Sequence, residues 1–244
     1  MAGAMARGWA GGDGGPDAML FCDLDAERAV ALAEQVGGEV REGLGDLAST
    51  SDAVILAVKP AALDDVAIEL ADARAIVSVL AGVPVARLAD AFPATPVLRL
   101  MPNQPVEVRV GVICHPPPHE MPADLAAQLL ALLGLLGDVV EIEEDRLDAA
   151  MAVMSCAPAY LALIADALTD AGVREGLELE LANELVAGTL EGTAELLRVR
   201  SPDEVQVAVA SPGGATEQGL RALRDGGVPE AIAAAVDASL ERLR

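Results

Sequence analysis

A proline and two glycines near the end of the chain mark the segment with the clearest potential for chemistry. This segment, Ser211–Thr216, reads Ser-Pro-Gly-Gly-Ala-Thr and precedes an amphipathic stretch that is typical of a helix. A loop that opens a helix points backbone N–H groups toward an anion. The expected cradle consists of Gly213, Gly214, Ala215 and Thr216, and its threonine hydroxyl suits a nitrogen beside a small carboxylate. The alternative is an ordinary solvated turn.

Three further turns each follow an apolar run that is typical of a buried strand. They are Ala57-Val58-Lys59-Pro60, Leu80-Ala81-Gly82 and Met101-Pro102-Asn103-Gln104-Pro105. Ligands of open α/β sheets bind outside the carboxyl ends of the strands, so these turns are candidates for a cofactor site. The alternative for the first turn is a plain strand exit, at which proline ends the pairing and the lysine is solvated.

Two aspartates, Asp23 and Asp25, follow the short apolar run Met19–Cys22. An acidic residue at this place in a dinucleotide-binding domain accepts hydrogen bonds from the adenosine ribose and disfavours a 2′-phosphate. The pair therefore favours NAD over NADP. The alternative for Asp25 is an N-cap of the helix that follows.

Composition argues against several classes of partner. The 244 residues include 16 Lys and Arg against 39 Asp and Glu, which gives a net charge of −23. Such an acidic surface repels nucleic-acid backbones and anionic lipid, so we expect neither a nucleic-acid nor a membrane partner. A site for an anionic substrate or cofactor must be made locally positive by helix N-termini, backbone amides and a few basic side chains.

The cysteine and histidine positions predict no metal site. The cysteines Cys22, Cys114 and Cys156 are odd in number and lack metal-ligand spacing, which is typical of reduced thiols in a cytoplasmic protein. His115 and His119 flank three prolines, and such a run predicts a rigid, exposed loop.

Strand and helix patterns alternate over residues 1–145. The predicted strands are Met19–Cys22, Ala53–Val58, Ala75–Leu80, Val97–Leu100, Val110–Cys114 and Val139–Ile142. The predicted helices are Ala26–Val36, Ala61–Leu70, Val85–Phe92 and Ala123–Leu136. Repeated strand–helix units imply a mostly parallel sheet that is covered on both faces. We therefore expect a doubly wound, Rossmann-like α/β domain.

Residues 146–244 carry helical patterns without a convincing strand. Apolar positions recur at helical spacing over Leu147–Asp170, Leu179–Leu197 and Gln218–Leu243, and alanine and leucine, which are good helix formers, dominate. We expect an all-helical second domain whose apolar stripes require cover.

Two of these turns and the Ser211–Thr216 loop, together with the stretch Met154–Tyr160, resemble four motifs of pyrroline-5-carboxylate reductase, the last enzyme of proline synthesis. The family patterns are A-V-K-P, M-P-N-T-P, S-G-S-G-P-A-Y and S-P-G-G-[AT]-T. They correspond here to Ala57–Pro60, Met101–Pro105, Met154–Tyr160 and Ser211–Thr216. The resemblance covers essentially the whole chain. It implies that the helical domain dimerises, and that the chain forms a homodimer or a larger homo-oligomer.

The resemblance also implies a reaction and a set of site residues. The chain would reduce pyrroline-5-carboxylate to proline, or a related small cyclic imino acid, with NADP or NAD as cofactor. The cofactor residues would be Asp23, Ala57, Val58, Lys59, Pro60, Leu80, Ala81, Gly82 and Asn103. The substrate residues would be Glu144, Gly213, Gly214, Ala215 and Thr216. Thr216 would be catalytic, with its hydroxyl on the ring nitrogen. The alternative for Glu144 is a solvated helix start.

Several positions depart from the family pattern. The family's S-G-S-G is Met154-Ser155-Cys156-Ala157 here, and Gln104 replaces a threonine. The stretch Met1–Trp9 matches the family's first helix, so we expect the first strand and most of the phosphate loop to be missing, which would expose two strand edges. The alternative function is therefore a non-catalytic dimerising remnant that has lost dinucleotide binding.

Overall fold

The structure is a computed structural model that describes residues 1–242, in which strands and helices alternate first and helices alone follow. The strands are β1 (Leu20–Phe21), β2 (Glu39–Val40), β3 (Val54–Leu56), β4 (Ile76–Ser78), β5 (Val97–Arg99), β6 (Met101–Pro102), β7 (Gly111–His115) and β8 (Gly137–Glu141). Helix α1 (Ala2–Ala10) precedes the strands, and the helices between them are α2 (Ala26–Val36), α3 (Leu44–Thr50), α4 (Leu63–Glu69), α5 (Val85–Ala91) and α6 (Ala123–Gly134). The later helices are α7 (Leu147–Ala150), α8 (Ala157–Arg174), α9 (Leu179–Leu197), α10 (Pro202–Val209), α11 (Ala215–Asp225) and α12 (Val228–Glu241).

The strand pairing is mostly parallel, which confirms the predicted fold class. Strands β3, β4 and β5 form a parallel sheet in which Ile76 lies between Val54 and Val97. Strand β7 pairs antiparallel with β6 and parallel with β8. Only Leu100 separates β5 from β6, so one continuous segment links these two sheets.

Strands β1 and β3 each leave one edge without a strand partner. Among residues 1–242, β1 pairs only with β2 and β3 pairs only with β4. The first pair is parallel, with Leu20 opposite Glu39.

Consecutive residues of the central strands are buried in different apolar clusters. Val97 belongs to a cluster with Leu88, whereas Leu98 belongs to a second cluster with Met5 and Leu136. Successive side chains of a strand point to opposite faces, so the sheet is covered on both sides as expected. These covered faces fix the carboxyl ends of β3, β4 and β5, where the motif turns begin.

The chain divides into two compact units after Cys156, later than the predicted boundary after residue 145. The first unit contains Met1–Cys156 and the second contains Ala157–Glu241. Leu147 and Met151 pack against Met101 and Cys114 of the sheet. The first turns of the helical region therefore belong to the first unit by packing.

The predicted helix Gln218–Leu243 is two helices in the structure. Helix α11 ends before Gly226, and Gly227 adopts a left-handed φ of 77° before α12 begins. Glycine reaches this conformation without the penalty that a Cβ imposes, so the chain turns here. The last predicted residue, Leu243, lies outside the described residues.

The helical run Glu144–Arg174 is long and strongly apolar. Its length and composition match those of a membrane-spanning helix, and only 17% of its most apolar window is buried. Leu161, Leu163 and Leu168 are among its exposed side chains. Interfaces between subunits expose the same kind of surface in an isolated chain.

Candidate active site

The segment Ser211–Thr216 folds as the loop that opens α11. Gly213 has a left-handed φ of 73°, and the amide of Gly214 donates to the carbonyl of Ser211 at 2.9 Å. Gly214 is the N-cap residue of α11. A Cβ placed on Gly213 would meet no atom within 4 Å, so this side of the loop is open. The glycine is required by its backbone angle rather than by crowding.

The loop presents unpaired N–H groups, and one of its amides already holds a carboxylate. Among residues 1–242, the amides of Ala215 and Thr216 have no hydrogen-bond partner. The amide of Gly213 donates to Oε2 of Glu217 at 2.7 Å. This amide is thus able to donate to a carboxylate, here one from the same loop and helix, and the binding of a substrate carboxylate by the cradle remains a prediction.

Thr216 lies in the first turn of α11 and is exposed. Within the described part of the chain its hydroxyl makes no hydrogen bond. A free hydroxyl can donate to or accept from a ligand atom, as the proposed contact with a ring nitrogen requires.

The Ala57–Pro60 turn follows β3 directly, and all four of its residues are exposed. Lys59 is the only lysine in the sequence. No carboxylate of residues 1–242 forms an ion pair with it. An unpaired cation at the carboxyl end of a parallel strand, in a chain of net charge −23, suits an anionic ligand.

The turn Leu80–Gly82 after β4 offers its backbone, rather than its side chains, to a ligand. Leu80 is 2% exposed and its amide donates to Oγ of Ser78 at 3.3 Å, so its side chain belongs to the core. Ala81 and Gly82 are exposed, and Gly82 has a φ of 72°. Any contact of this turn with a cofactor is therefore made by its open backbone.

The two aspartates after β1 have different roles in the structure. Asp25 is the N-cap of α2, and its Oδ1 accepts from the amide of Arg28 at 3.4 Å, as the alternative for this residue predicts. Asp23 accepts the amide of Asp25 at 2.9 Å and remains exposed. Asp23 is thus the one of the two that stays available to a ribose.

The side chain of Asn103 is buried and joined to two segments of the first unit. Its Oδ1 accepts from the amide of Val112 at 2.8 Å, and its Nδ2 donates to the carbonyl of Met154 at 3.2 Å. Ser155 makes a parallel contact, because its Oγ donates to the carbonyl of Pro102 at 3.0 Å. Met154 and Ser155 lie in a π-helical turn. The predicted cofactor role of Asn103 remains a prediction beside these internal bonds.

Glu144 is bonded to the sheet domain and is not a solvated helix start. Its Oε1 accepts from Nη1 of Arg99 at 2.8 Å and from the amide of Val85 at 2.6 Å. Its side chain is 36% exposed, while that of Arg99 is 4% exposed.

Gln104, which replaces the family's threonine, joins a charged pair next to this region. Its Nε2 donates to Oε2 of Glu107 at 2.7 Å. Arg7 of α1 donates to Oε1 of Glu107 at 2.7 Å. The hydrogen bond from Arg7 holds the pKa of Glu107 below its ordinary value. The Arg7–Glu107 ion pair therefore links α1 to the segment that follows the Met101–Pro105 motif.

The predicted residues fall in two groups. The cofactor candidates and Glu144 lie in the first unit, whereas the cradle Gly213–Thr216 lies in the second.

Two residues were not predicted, namely Arg99 and Glu217. A charged residue inside the apolar run Val97–Leu100 was a usable signal for the first. Within residues 1–242, no three His, Cys, Asp or Glu side chains come together in a way that suits a metal ion.

Mostly parallel strands with open turns at their carboxyl ends, followed by an all-helical unit, define the class of two-domain α/β proteins. Comparison with known families agrees with this class. Residues 144–244 match the family described as pyrroline-5-carboxylate reductase dimerisation. Residues 1–82 match the family described as NADP oxidoreductase, coenzyme F420-dependent.

Similar proteins identify the family. The pyrroline-5-carboxylate reductase of Synechocystis is 37% identical over 202 residues, which are 81% of this chain and 76% of the relative. That of Thermus thermophilus is 38% identical over 220 residues, covering 88% and 83% of the two chains. The structure of 1-pyrroline-5-carboxylate reductase from Streptococcus pyogenes, 29% identical, superposes with a TM-score of 0.89 over 100% of this chain and 94% of that one. The chain belongs to the pyrroline-5-carboxylate reductase family.

Proposed function

We propose that this protein reduces the C=N bond of pyrroline-5-carboxylate, with a nicotinamide dinucleotide as cofactor, and releases proline. The observation that carries the proposal is the loop Gly213–Thr216, in which one amide holds a carboxylate and two others are unpaired among residues 1–242. Family membership supplies the reaction to which such a cradle belongs.

The cradle holds the substrate by its carboxylate. Amides of Ala215 and Thr216 at the start of α11 donate to the carboxylate oxygens, and the partial positive charge of the helix N-terminus favours that anion. The hydroxyl of Thr216 then contacts the ring nitrogen. When the carboxylate and the ring nitrogen are both held, the C5 carbon of the ring has a defined position. Such fixed orientation of the reacting atom raises the reaction rate.

The first unit holds the cofactor in this proposal. Lys59 meets a phosphate as an unpaired cation, while Ala57, Val58, Pro60 and the open backbone at Ala81 and Gly82 line the bound molecule. The exposure of these residues and the lack of an ion pair at Lys59 within residues 1–242 support that fit. When bound, the dinucleotide supplies the hydride that C5 accepts. The protonated ring nitrogen takes the electron pair of the C=N bond.

The proposal also includes the oligomeric state of the protein and its location in the cell. The dimerisation family match and the exposed leucines of α8 support a homodimer or a larger homo-oligomer. The strong negative charge supports a small-molecule enzyme without nucleic-acid or membrane partners. Free thiols at Cys22, Cys114 and Cys156 support a cytoplasmic location.

A substrate assay tests the reaction. Purified protein with NADPH or NADH should oxidise the cofactor only when pyrroline-5-carboxylate is present, and proline should appear in equal amount. A six-membered cyclic imino acid, offered in parallel, shows whether a relative of the substrate is preferred. Dimeric protein that binds neither dinucleotide and oxidises neither would favour the non-catalytic remnant, for which the comparisons give no specific support.

The single lysine allows a separate test of the cofactor site. A lysine-directed reagent can modify only Lys59 and the terminal amine, because no other lysine is present. NADPH should protect Lys59 from modification. Equal modification of Lys59 with and without saturating NADPH would remove it from the cofactor site.

A further inference from the structure

Glu144 makes two contacts within the first unit, and the first of them is an ion pair with Arg99. Arg99 ends β5 and is 4% exposed. Its Nη1 lies 2.8 Å from Oε1 of Glu144, and its Nη2 lies 4.0 Å from Asp148. Its Nε has no partner in the described part of the chain. A buried guanidinium is costly to leave unpaired, so Glu144 is held firmly against the end of the strand.

The second contact of Glu144 lies at the start of α5. The amide of Val85, the first residue of this helix, donates to Oε1 of Glu144 at 2.6 Å. The N-cap residue, Pro84, has no side-chain acceptor for this helix. Glu144 therefore satisfies a free N–H group of α5 from 59 positions away in the sequence.

These two contacts bracket the turn that follows β4. The turn Leu80-Ala81-Gly82 runs from β4 toward Val85, and β4 is the parallel neighbour of β5. Glu144 thus links the strand beside the turn to the helix after it. Its Oε1 accepts two internal hydrogen bonds, so this oxygen is directed at the protein itself.

We infer that Glu144 is a positioning residue for the turn Leu80–Gly82 and is not a ligand of the imino acid. The inference rests on the proposed function, because that turn is taken to line the dinucleotide. Glu144 acts through Val85 and Arg99 and sets the backbone that the cofactor meets. This assignment replaces the substrate role that the family resemblance implies for Glu144.

Two substitutions of Glu144 separate the roles in the full-length protein. Glu144→Ala removes both contacts and should raise the Kd for NADPH about tenfold, while Glu144→Gln keeps an acceptor and should raise it about threefold. The KM for pyrroline-5-carboxylate, measured at saturating NADPH, should stay within about twofold of wild type by the same reasoning. The control is Glu143→Gln, an adjacent exposed carboxylate.

Substitution of Arg99 and amide exchange of the backbone after β4 test the inference independently of the Glu144 variants. Arg99→Met should weaken NADPH binding in the same direction, and the double variant Arg99→Met, Glu144→Gln should be no worse than the weaker-binding single variant, since one linked contact is lost. Amide hydrogen exchange over residues 81–90 should speed up in Glu144→Ala and not in the control.

Other outcomes would overturn the inference in distinguishable ways. A higher KM for pyrroline-5-carboxylate with unchanged NADPH affinity would return Glu144 to the substrate site. A lower melting temperature with unchanged NADPH affinity would make the contact purely structural. If wild-type protein bound neither NADPH nor NADH, the proposed function would fail together with this inference, whereas normal wild-type activity with unaffected variants would reject the inference alone.

Discussion

The amide nitrogen of Gly213 lies 2.7 Å from Oε2 of Glu217, one helical turn further along the chain. Both residues are exposed. The carboxylate of the chain therefore uses one donor of the cradle in which we place the substrate carboxylate. An anionic substrate has to displace this carboxylate or bind beside it.

Glu217→Gln should lower the KM for pyrroline-5-carboxylate, because it removes a negative charge next to the amides of Ala215 and Thr216 to which the substrate carboxylate is proposed to bind. Exposed charge interactions are weak, so we expect a fall of about two- to fivefold, with little change in kcat. Steady-state kinetics at saturating NADPH measures the effect. Glu230→Gln, on the neighbouring helix, is the matched control. A raised KM in Glu217→Gln would instead indicate that the carboxylate assists substrate binding.

Thr216→Ala should slow imine reduction while leaving dinucleotide affinity unchanged, since the hydroxyl is proposed to meet only the substrate. Loss of one such hydrogen bond costs about 1–2 kcal/mol, or roughly five- to thirtyfold in kcat/KM. Thr216→Ser keeps the hydroxyl and should retain most of the activity. Equal kcat/KM in wild type and Thr216→Ala would remove Thr216 from the mechanism.

Leu163→Glu should shift the protein from dimer to monomer in sedimentation runs at micromolar concentration. Leu163 is 70% exposed on α8 in the single chain, and a carboxylate there is costly to bury in an interface. The control is Ile68→Glu, which changes an equally exposed apolar residue of the first unit. Wild-type protein that sediments as a monomer would contradict the proposed assembly.

The cofactor preference should follow Asp23. We expect NADH to be used at least as well as NADPH, because the carboxylate of Asp23 disfavours a 2′-phosphate. Asp23→Ser should raise kcat/KM for NADPH relative to NADH, whereas Asp17→Asn, an exposed control nearby, should not. A strong NADPH preference in the wild type would leave Asp23 with its local role, the hydrogen bond to the amide of Asp25.

The sheet domain was largely predictable, because its signals are local. Strands β3, β4 and β5 lie within apolar runs, interrupted only by Ser78 in β4 and Arg99 in β5, and each run is followed by a turn containing proline or glycine. Helix α10 was missed although its capping box, Ser201 with Glu204, is a sequence signal. The break between α11 and α12 was missed at Gly226-Gly227, since the apolar spacing continues across it.

The contacts of the candidate site were predictable only in part. The backbone of the Ser211–Thr216 loop follows from its own glycines, so the loop that opens α11 could be predicted from the sequence. The partners of Asn103 and Glu144 lie 51 and 45 positions away at Met154 and Arg99. Such pairs depend on how distant segments pack, and spacing within one motif does not contain that information.

The most direct measurement follows the hydride itself. Protein is supplied with pyrroline-5-carboxylate and with NADPH or NADH that carries deuterium at both C4 positions of the reduced nicotinamide, and the product is analysed by NMR. We expect proline with one deuterium at C5, formed in step with cofactor oxidation and much more slowly by Thr216→Ala. Cofactor oxidation that gives no proline, or proline without deuterium at C5, would contradict the proposed reaction.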